Sequence, residues 1–269
     1  FFKGANKNGF DFYSAHLFLK GKGNWRTVAV GDFQAAFGQG LTFASGLAFG
    51  KSPFVLNVKR NFQTLRPYRS VNENEFLRGV AATYRVGKIE LTALYSRKKI
   101  DGNIAATSDS LVTSDESSFT SVISSGYHRT TSEIADKRSI MQIIYGGHAS
   151  CQLKNLQLGA TAIQTVYDKT FQKIGGLYNL YTFSGKTLLN TGIDYTWYYR
   201  NITLFGEMAN SGNSAIAQTH GLIASLSATT DISLVYRNFP KNYHTTYSNA
   251  FGESSTNKNE RGIYTGISY

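Results

Sequence analysis

His148 and Ser150 stand two residues apart, and His128 lies in a stretch that also holds Ser125 and Glu133. A serine beside a histidine can carry acyl transfer if a third group orients the imidazole and substrate can reach the pair. Neither set meets that condition. His148 falls mid-way along an alternating segment, and the 125–133 group lies in an irregular one, so polar lining is the better reading of both. Glycines recur at 38, 40, 46 and 50, but Gly50-Lys51-Ser52 lacks the earlier glycine a phosphate-cradling loop needs, and no strand-to-helix pattern surrounds it. The single cysteine, Cys151, permits no internal disulfide, and no Cys/His cluster has metal-ligand spacing. These residues predict no catalysis, no cofactor and no metal.

The elements that must position them are strands. In the stretch Leu77–Lys99, Val80, Ala82, Tyr84 and Val86 share one parity, and Ile89, Leu91, Ala93 and Tyr95 share one parity beyond a break at Gly87-Lys88. Alternation on both sides of a two-residue turn is a β-hairpin, because successive strand side chains point to opposite faces. Eleven segments are candidate strands: 9–20, 25–33, 77–87, 89–98, 139–153, 156–167, 188–199, 202–210, 216–228, 231–239 and 261–269, although in 9–20 neither face is clean. No run approaches the roughly 18 apolar residues of a membrane helix, which leaves open a barrel, whose strands alternate instead.

Charge position decides between a soluble sandwich and a barrel. Arg85, Glu90, Asp194, Glu207 and Arg237 all fall on the polar parity of their strands, with Gln142 and His148. These seven are the candidate lumen-lining residues. On a lipid-facing position near the bilayer midplane an Arg or Lys costs about 2–4 kcal/mol, whereas a water-filled lumen imposes no such cost. The apolar faces are rich in Ala, Gly and Tyr rather than in the Val, Ile and Leu of a sandwich core, which suits lipid with interfacial aromatics. Asp32 shares the parity of Val28 and Val30 and is tolerable only at a rim. The expected fold is therefore all-β, an antiparallel transmembrane β-barrel of outer-membrane type.

Short and long connections alternate along the chain, as they do between periplasmic turns and extracellular loops. That places the barrel in a Gram-negative outer membrane with long loops extracellular and short turns periplasmic. Residues 1–8 would lie outside and Tyr269 at the periplasmic rim. Eleven is odd where a bacterial barrel closes with an even number, so either a strand is hidden within 39–48 or 177–184, or residues 1–269 are one segment of a longer barrel. The connection 34–76 is long for a loop without function. It either constricts the lumen as a plug, with Arg66, Arg69 and Glu75 paired to wall charges, or is an ordinary surface loop. The stretch 103–126, rich in Ser, Thr and Asp, reads as flexible exterior.

Several stretches resemble a known family: GDFQAAFGQGLTFASGLAFGKSP from Gly31, LRPYRSVNENEFLRGVAAT at 65–83, SGYHRTTSEIADK at 125–137, GLYNLY at 176–181 and YRNFPKNYHTTYSNAFGE at 236–253. In order and spacing the chain is similar to large outer-membrane barrel proteins of Bacteroidota, usually labelled helix-hairpin-helix or ComEA-like proteins. The resemblance implies the barrel region of a longer protein. The family's DNA-related label rests on a helix-hairpin-helix domain, which nothing in this chain matches.

The net charge of +11 does not change this. The cations cluster at strand ends (Lys20, Lys22 and Arg26; Lys51, Lys59 and Arg60; Lys98 and Lys99), on rims that face anionic headgroups, not along one groove. The implied partners are outer-membrane lipid and lipopolysaccharide, then other envelope proteins; nucleic acid is disfavoured. The expected function is a pore, scaffold or membrane anchor with no chemistry of its own. The alternative is a component of an envelope export, assembly or DNA-handling complex.

Overall fold

The computed structural model describes residues 12–21, 23–46, 54–70, 74–104, 118–123, 126, 128–173, 176–212, 214–254 and 256–269. Eleven strands form one continuous antiparallel wall: β1 (His16–Lys20), β2 (Trp25–Ala35), β4 (Leu77–Val86), β5 (Ile89–Ile100), β8 (Ile140–Gln152), β9 (Leu156–Phe171), β10 (Gly185–Tyr199), β11 (Ile202–Ser211), β12 (Ala215–Ser225), β13 (Asp231–Phe239) and β14 (Glu260–Ser268). They fall on the eleven candidate segments, although β1 takes up only 16–20 of 9–20, whose residues 9–11 lie outside the described residues. Among the described residues β1 and β14 do not pair, so the wall is open. No twelfth wall strand is described in 39–48, of which 47–48 lie outside the described residues, or in 177–184, where Leu177–Asn179 is a single 3-10 turn.

Three short strands lie off the wall. β3 (Leu65–Pro67) pairs with the upper part of β2, above the stretch of β2 that β1 occupies, so one strand position is shared by two pieces of chain. β6 (Gly102–Ile104) and β7 (Ser118–Val122) form a hairpin. This corrects the reading of 103–126 as flexible exterior for its described part. Phe119 is fully buried against Ile100 and Ile140, so apolar burial fixes a stretch whose flanks are polar. Residues 105–117 and 124–125 lie outside the described residues.

The wall is built inside out relative to a soluble sandwich. Its convex face carries bare apolar side chains: Leu91, Tyr95, Tyr145 (46 % exposed), Leu158, Ile193 (61 %) and Leu234. Its concave face buries Thr83, Thr92, Ser96, Thr161, Asn190 and Glu207. An apolar belt of this extent facing outward, over polar positions buried within, is the build of an outer-membrane barrel wall. Aromatic pairs edge the belt at the short-turn end, where Trp25 meets Tyr84 edge-on at 4.9 Å and Trp197 stacks on Tyr199 at 5.6 Å.

Asp32 does share the outward parity, near the long-loop end of β2. It is nevertheless buried, because Arg78 on β4 grips both carboxylate oxygens, at 2.6 and 2.9 Å. Lys98, grouped by sequence with the rim cations, instead points inward and is 5 % exposed. Its ammonium donates to the carbonyls of Asn74 and Phe76, both at 2.7 Å.

The concave side is not an aqueous lumen throughout. Two connections enter it. Phe37, Leu41 and Phe43 from the β2–β4 connection, and Tyr243 and Ala250 from the β13–β14 connection, pack on inward wall residues such as Ala209, Ala217 and Ile163. The second of these was expected to stay outside with the other long loops. A third contact comes from Val55–Val58, which crosses to β13, and Val58 packs on Val235 there and on Phe205 of β11.

If the convex face meets lipid, Ile193→Arg lowers unfolding free energy in bilayers by about 2–4 kcal/mol. Urea titration in phosphocholine vesicles measures this, and a change below about 0.5 kcal/mol would place that face in water.

Candidate functional site

The site is the contact between the inserted segment 36–46 and the wall beneath it. β10 and β11 set Asp194 directly opposite Glu207, both facing inward. Two carboxylates in that register repel, and Glu207 is 1 % exposed. What neutralises it is backbone. The amides of Gln39 and Leu41 donate to Glu207 Oε2 at 2.6 and 3.0 Å, and the amide of Thr42 donates to Oε1 at 2.7 Å. Successive N–H groups converging on a carboxylate form an anion-binding concavity, here filled by a side chain of the same protein.

The segment can turn its amides downward because of two glycines. Gly38 has φ +52°, and a Cβ there would meet Glu207 and Asp194 at 2.8 and 2.9 Å. Gly40 has φ +79° and sits against the Phe62 ring. On the wall, side chains at Gly159 and Gly192 would run into His148 and Asp194, and into Thr42. Small inward positions therefore make the floor on which the segment rests.

His148 stacks on Phe37 (centroids 5.1 Å apart, planes at 9°). Its Nδ1 shares a hydrogen bond with Thr161 Oγ1 at 2.9 Å and lies 3.8 Å from Asp194 Oδ2. Both partners meet the same nitrogen, and Ser150 is not bonded to the ring, so the arrangement is a packed polar contact, not a nucleophile with its base. The other histidine group dissolves likewise. His128 pairs with Asp101 at 2.8 Å, Glu133 closes a capping box with Thr130 at the start of α1 (Thr131–Ala135), and Ser125 lies outside the described residues.

The remaining candidates scatter. Glu90 joins His148, Asp194 and Arg60 around a polar cavity of about 300 Å³, and Arg85 sits at the short-turn rim, bonded to the Gly87 carbonyl at 3.1 Å. Gln142 is buried and donates to the Tyr167 hydroxyl at 3.4 Å. Arg237 is buried on β13, where it grips Glu260 of the neighbouring strand and Glu253 of the incoming connection (2.6 Å to Glu253). Arg66, Arg69 and Glu75 border a separate cavity of about 440 Å³ beside β1 and β2. The ion pairs expected of these three with wall charges are not formed among the described residues; Arg66 lies in β3, opposite the neutral Gln34.

Sequence reasoning missed the partner of the inserted segment. The 243–250 stretch zips onto 40–46. The Tyr243 hydroxyl donates to Leu41 O (2.9 Å), Thr245 Oγ1 to Thr42 O (3.0 Å), and Asn249 Nδ2 to Ala44 O (2.9 Å) and Gly46 O (2.6 Å). Two main-chain bonds, Ala44 to Tyr247 and Asn249 to Gly40, complete it. Burial pushes the Tyr243 and Tyr247 hydroxyls up from the ordinary phenol range. Tyr243, Tyr247 and Phe251 recur every four residues, a spacing of aromatics that could have flagged an inward stretch. His244 donates from Nε2 to the Tyr181 carbonyl at 2.6 Å, and burial holds its imidazole below the usual histidine range.

Fold and site together define a membrane-type β wall with an occupied interior. No family model and no curated protein matches the chain. Among solved structures it is similar to a loop-deletion mutant of OmpT, an outer membrane protein of Vibrio cholerae (8 % identity, 80 % of this chain and 70 % of that one, TM-score 0.34). It is also similar to the trimer form of in-vitro folded OmpT (10 %, 79 % and 65 %, 0.33) and to OmpT expressed in the outer membrane (10 %, 84 % and 70 %, 0.30). Scores this low transfer neither strand number nor role.

Glu207→Ala strands three buried amides, at about 1–3 kcal/mol each, so amide exchange at Gln39, Leu41 and Thr42 accelerates by several orders of magnitude while that of β8 and β9 does not. Exchange mapped by mass spectrometry checks this. His244 gives a pH dependence. Its folded pKa is depressed, so its contribution is present above the unfolded value near 6.5 and is lost as pH falls below it. Exchange within 240–250 accelerates on acidification through that window, and His244→Gln removes the dependence.

Proposed function

We propose that this chain is part of an outer-membrane barrel that acts as a plugged scaffold or membrane anchor, with no chemistry of its own. The supporting observation is the burial of Glu207 under the amides of Gln39, Leu41 and Thr42. A freely open pore has no use for a carboxylate sealed by backbone, and a water-filled lumen would solvate it at no cost. In this reading the long connections face the cell exterior and the short turns the periplasm. The resemblance to Bacteroidota barrel proteins belongs to the same proposal. Those quoted stretches include both pieces that meet inside the wall, 36–46 and 243–250.

The full-length protein in a planar bilayer gives the test. The wild type conducts poorly, and Glu207→Ala opens events of larger unit conductance. A wild type that conducts steadily in the manner of a general porin overturns the plugged reading. A Glu207→Ala variant whose exchange at 39–42 has accelerated but whose conductance is unchanged shows that the segment does not seal the path.

A further inference from the structure

On the convex face, the long-loop ends of β4 and β5 carry three cations side by side. Gly79 pairs with Ser96, so Arg78 and Arg97, one position further along, are cross-strand neighbours. Lys99 follows Arg97 on the same face of β5, and both are exposed. Arg78 is held by Asp32. Among the described residues Arg97 and Lys99 take part in none of the ion pairs, although like charges in adjacent register repel. On the next strand Arg97 faces Ile143 and Lys99 faces Met141, and beyond Met141 stands Asp168 of β9, which accepts from the Met141 amide and is paired with Lys169.

Height on the wall identifies the environment. From Ile89 at the short-turn end to Lys99 is ten residues. At about 3.3 Å per residue and a tilt near 40° the rise is about 25 Å, the height of a barrel's apolar band. Directly below Arg97, Tyr95 and Tyr145 face each other across β5 and β8, both half exposed. Tyrosines at that level are what a membrane interface selects. The cations therefore stand where the headgroups of the leaflet on the long-loop side begin, with apolar surface beneath for acyl chains.

Resting on the membrane reading above, we infer that Arg97 and Lys99, flanked by the outer edge of Arg78, form a binding site for the phosphorylated headgroup of a lipid in that leaflet. The planar fork of Arg97 suits two phosphate oxygens, and Lys99 adds a point charge to the same group. Free inorganic phosphate would satisfy the cations alike but would gain nothing from Ile143, Met141 and the tyrosines, so the site commits to lipid.

The test uses the full-length protein in phosphocholine nanodiscs, with bisphosphorylated lipid A, dephosphorylated lipid A or inorganic phosphate added, and native mass spectrometry to count retained lipid. Bisphosphorylated lipid A is retained by the wild type. Arg97→Gln with Lys99→Gln weakens retention by about tenfold or more, whereas Arg97→Lys, which keeps the charge and loses the fork, falls between that pair and the wild type. Equal retention by the Gln pair, equal retention of dephosphorylated lipid, or displacement by millimolar-scale inorganic phosphate each overturns the site. Insertion is read separately, by shielding of tyrosine emission from an aqueous quencher. A shielded protein that ignores lipid A sinks this site alone, and an unshielded one sinks the membrane reading as well.

Discussion

A buried carboxylate with no cation beside it has to be met by donors, and in this protein the donors are three main-chain amides. Glu207 sits across from Asp194 in the β10–β11 register, so the wall places two negative charges together in a concave, poorly hydrated place. Hydrogen bonds to a charged acceptor contribute roughly twice what neutral ones do. The segment 36–46 is the source of those bonds, and its path follows from that need. Gly38 and Gly40 let the backbone reverse without side chains in the way, and Gly159 and Gly192 leave room for it on the wall. Remove the carboxylate and the segment loses its anchor on the wall, while the four glycines still answer to their own neighbours: Asp194, Phe62, His148 and Thr42.

The inside-out wall makes this interior matter for stability. Lipid tails are as apolar as the side chains they touch, so a bilayer supplies little drive for one apolar surface to seek another. What holds the wall is its ladder of backbone bonds, obligatory where no water competes, and the packing of its concave side. That packing comes from clusters around Phe33, Phe37 and Phe43, around Leu41 and Tyr243, and around Phe205 and Phe251. Most of these rings belong to connections or strand ends. The connections are thus part of the core, and the wall alone would be a shell around a hydrated gap.

Strand number and face were legible because alternation is a local property. Tyr145, Ile193 and Leu204 could be sent outward, and Glu207, Asp194 and Arg237 inward, from parity alone. Lys98 was misplaced among rim cations only because its neighbour Lys99 does point out; parity with Ser96 and Leu94 already put it inside. Where a connection goes is not local. NYHTTYSNAFGE at 242–253 has the hydroxyls and amides of an exterior loop, and the same groups serve to bond carbonyls of 41–46. Composition cannot separate a loop that meets water from one that meets another loop. Arg66 forms no salt bridge with a wall charge for a related reason: sequence does not show that β3 would pair beside the neutral Gln34, whereas Glu75 does act through space on the inward wall cation Lys98.

Magnitudes bear on whether such an interior could open by itself. The inserted segment and its 243–250 partner are zipped together, so the cheapest release moves them as one body and breaks only the contacts to the wall. Three hydrogen bonds to a buried acceptor, at about 1–3 kcal/mol each, come to roughly 3–9 kcal/mol before the lost packing of Phe37 on His148 is counted. At about 1.4 kcal/mol per factor of ten, that leaves the released state at less than about one molecule in a hundred. Thermal fluctuation alone therefore leaves the segment seated nearly all the time. Anything that opens it must bind the released form more tightly by a comparable free energy. The acceptor end of the latch is wall, and its donors are backbone amides, which substitutions elsewhere on the segment do not remove. An opener acting from either side would have to compete with the amides of Gln39, Leu41 and Thr42 for Glu207 itself.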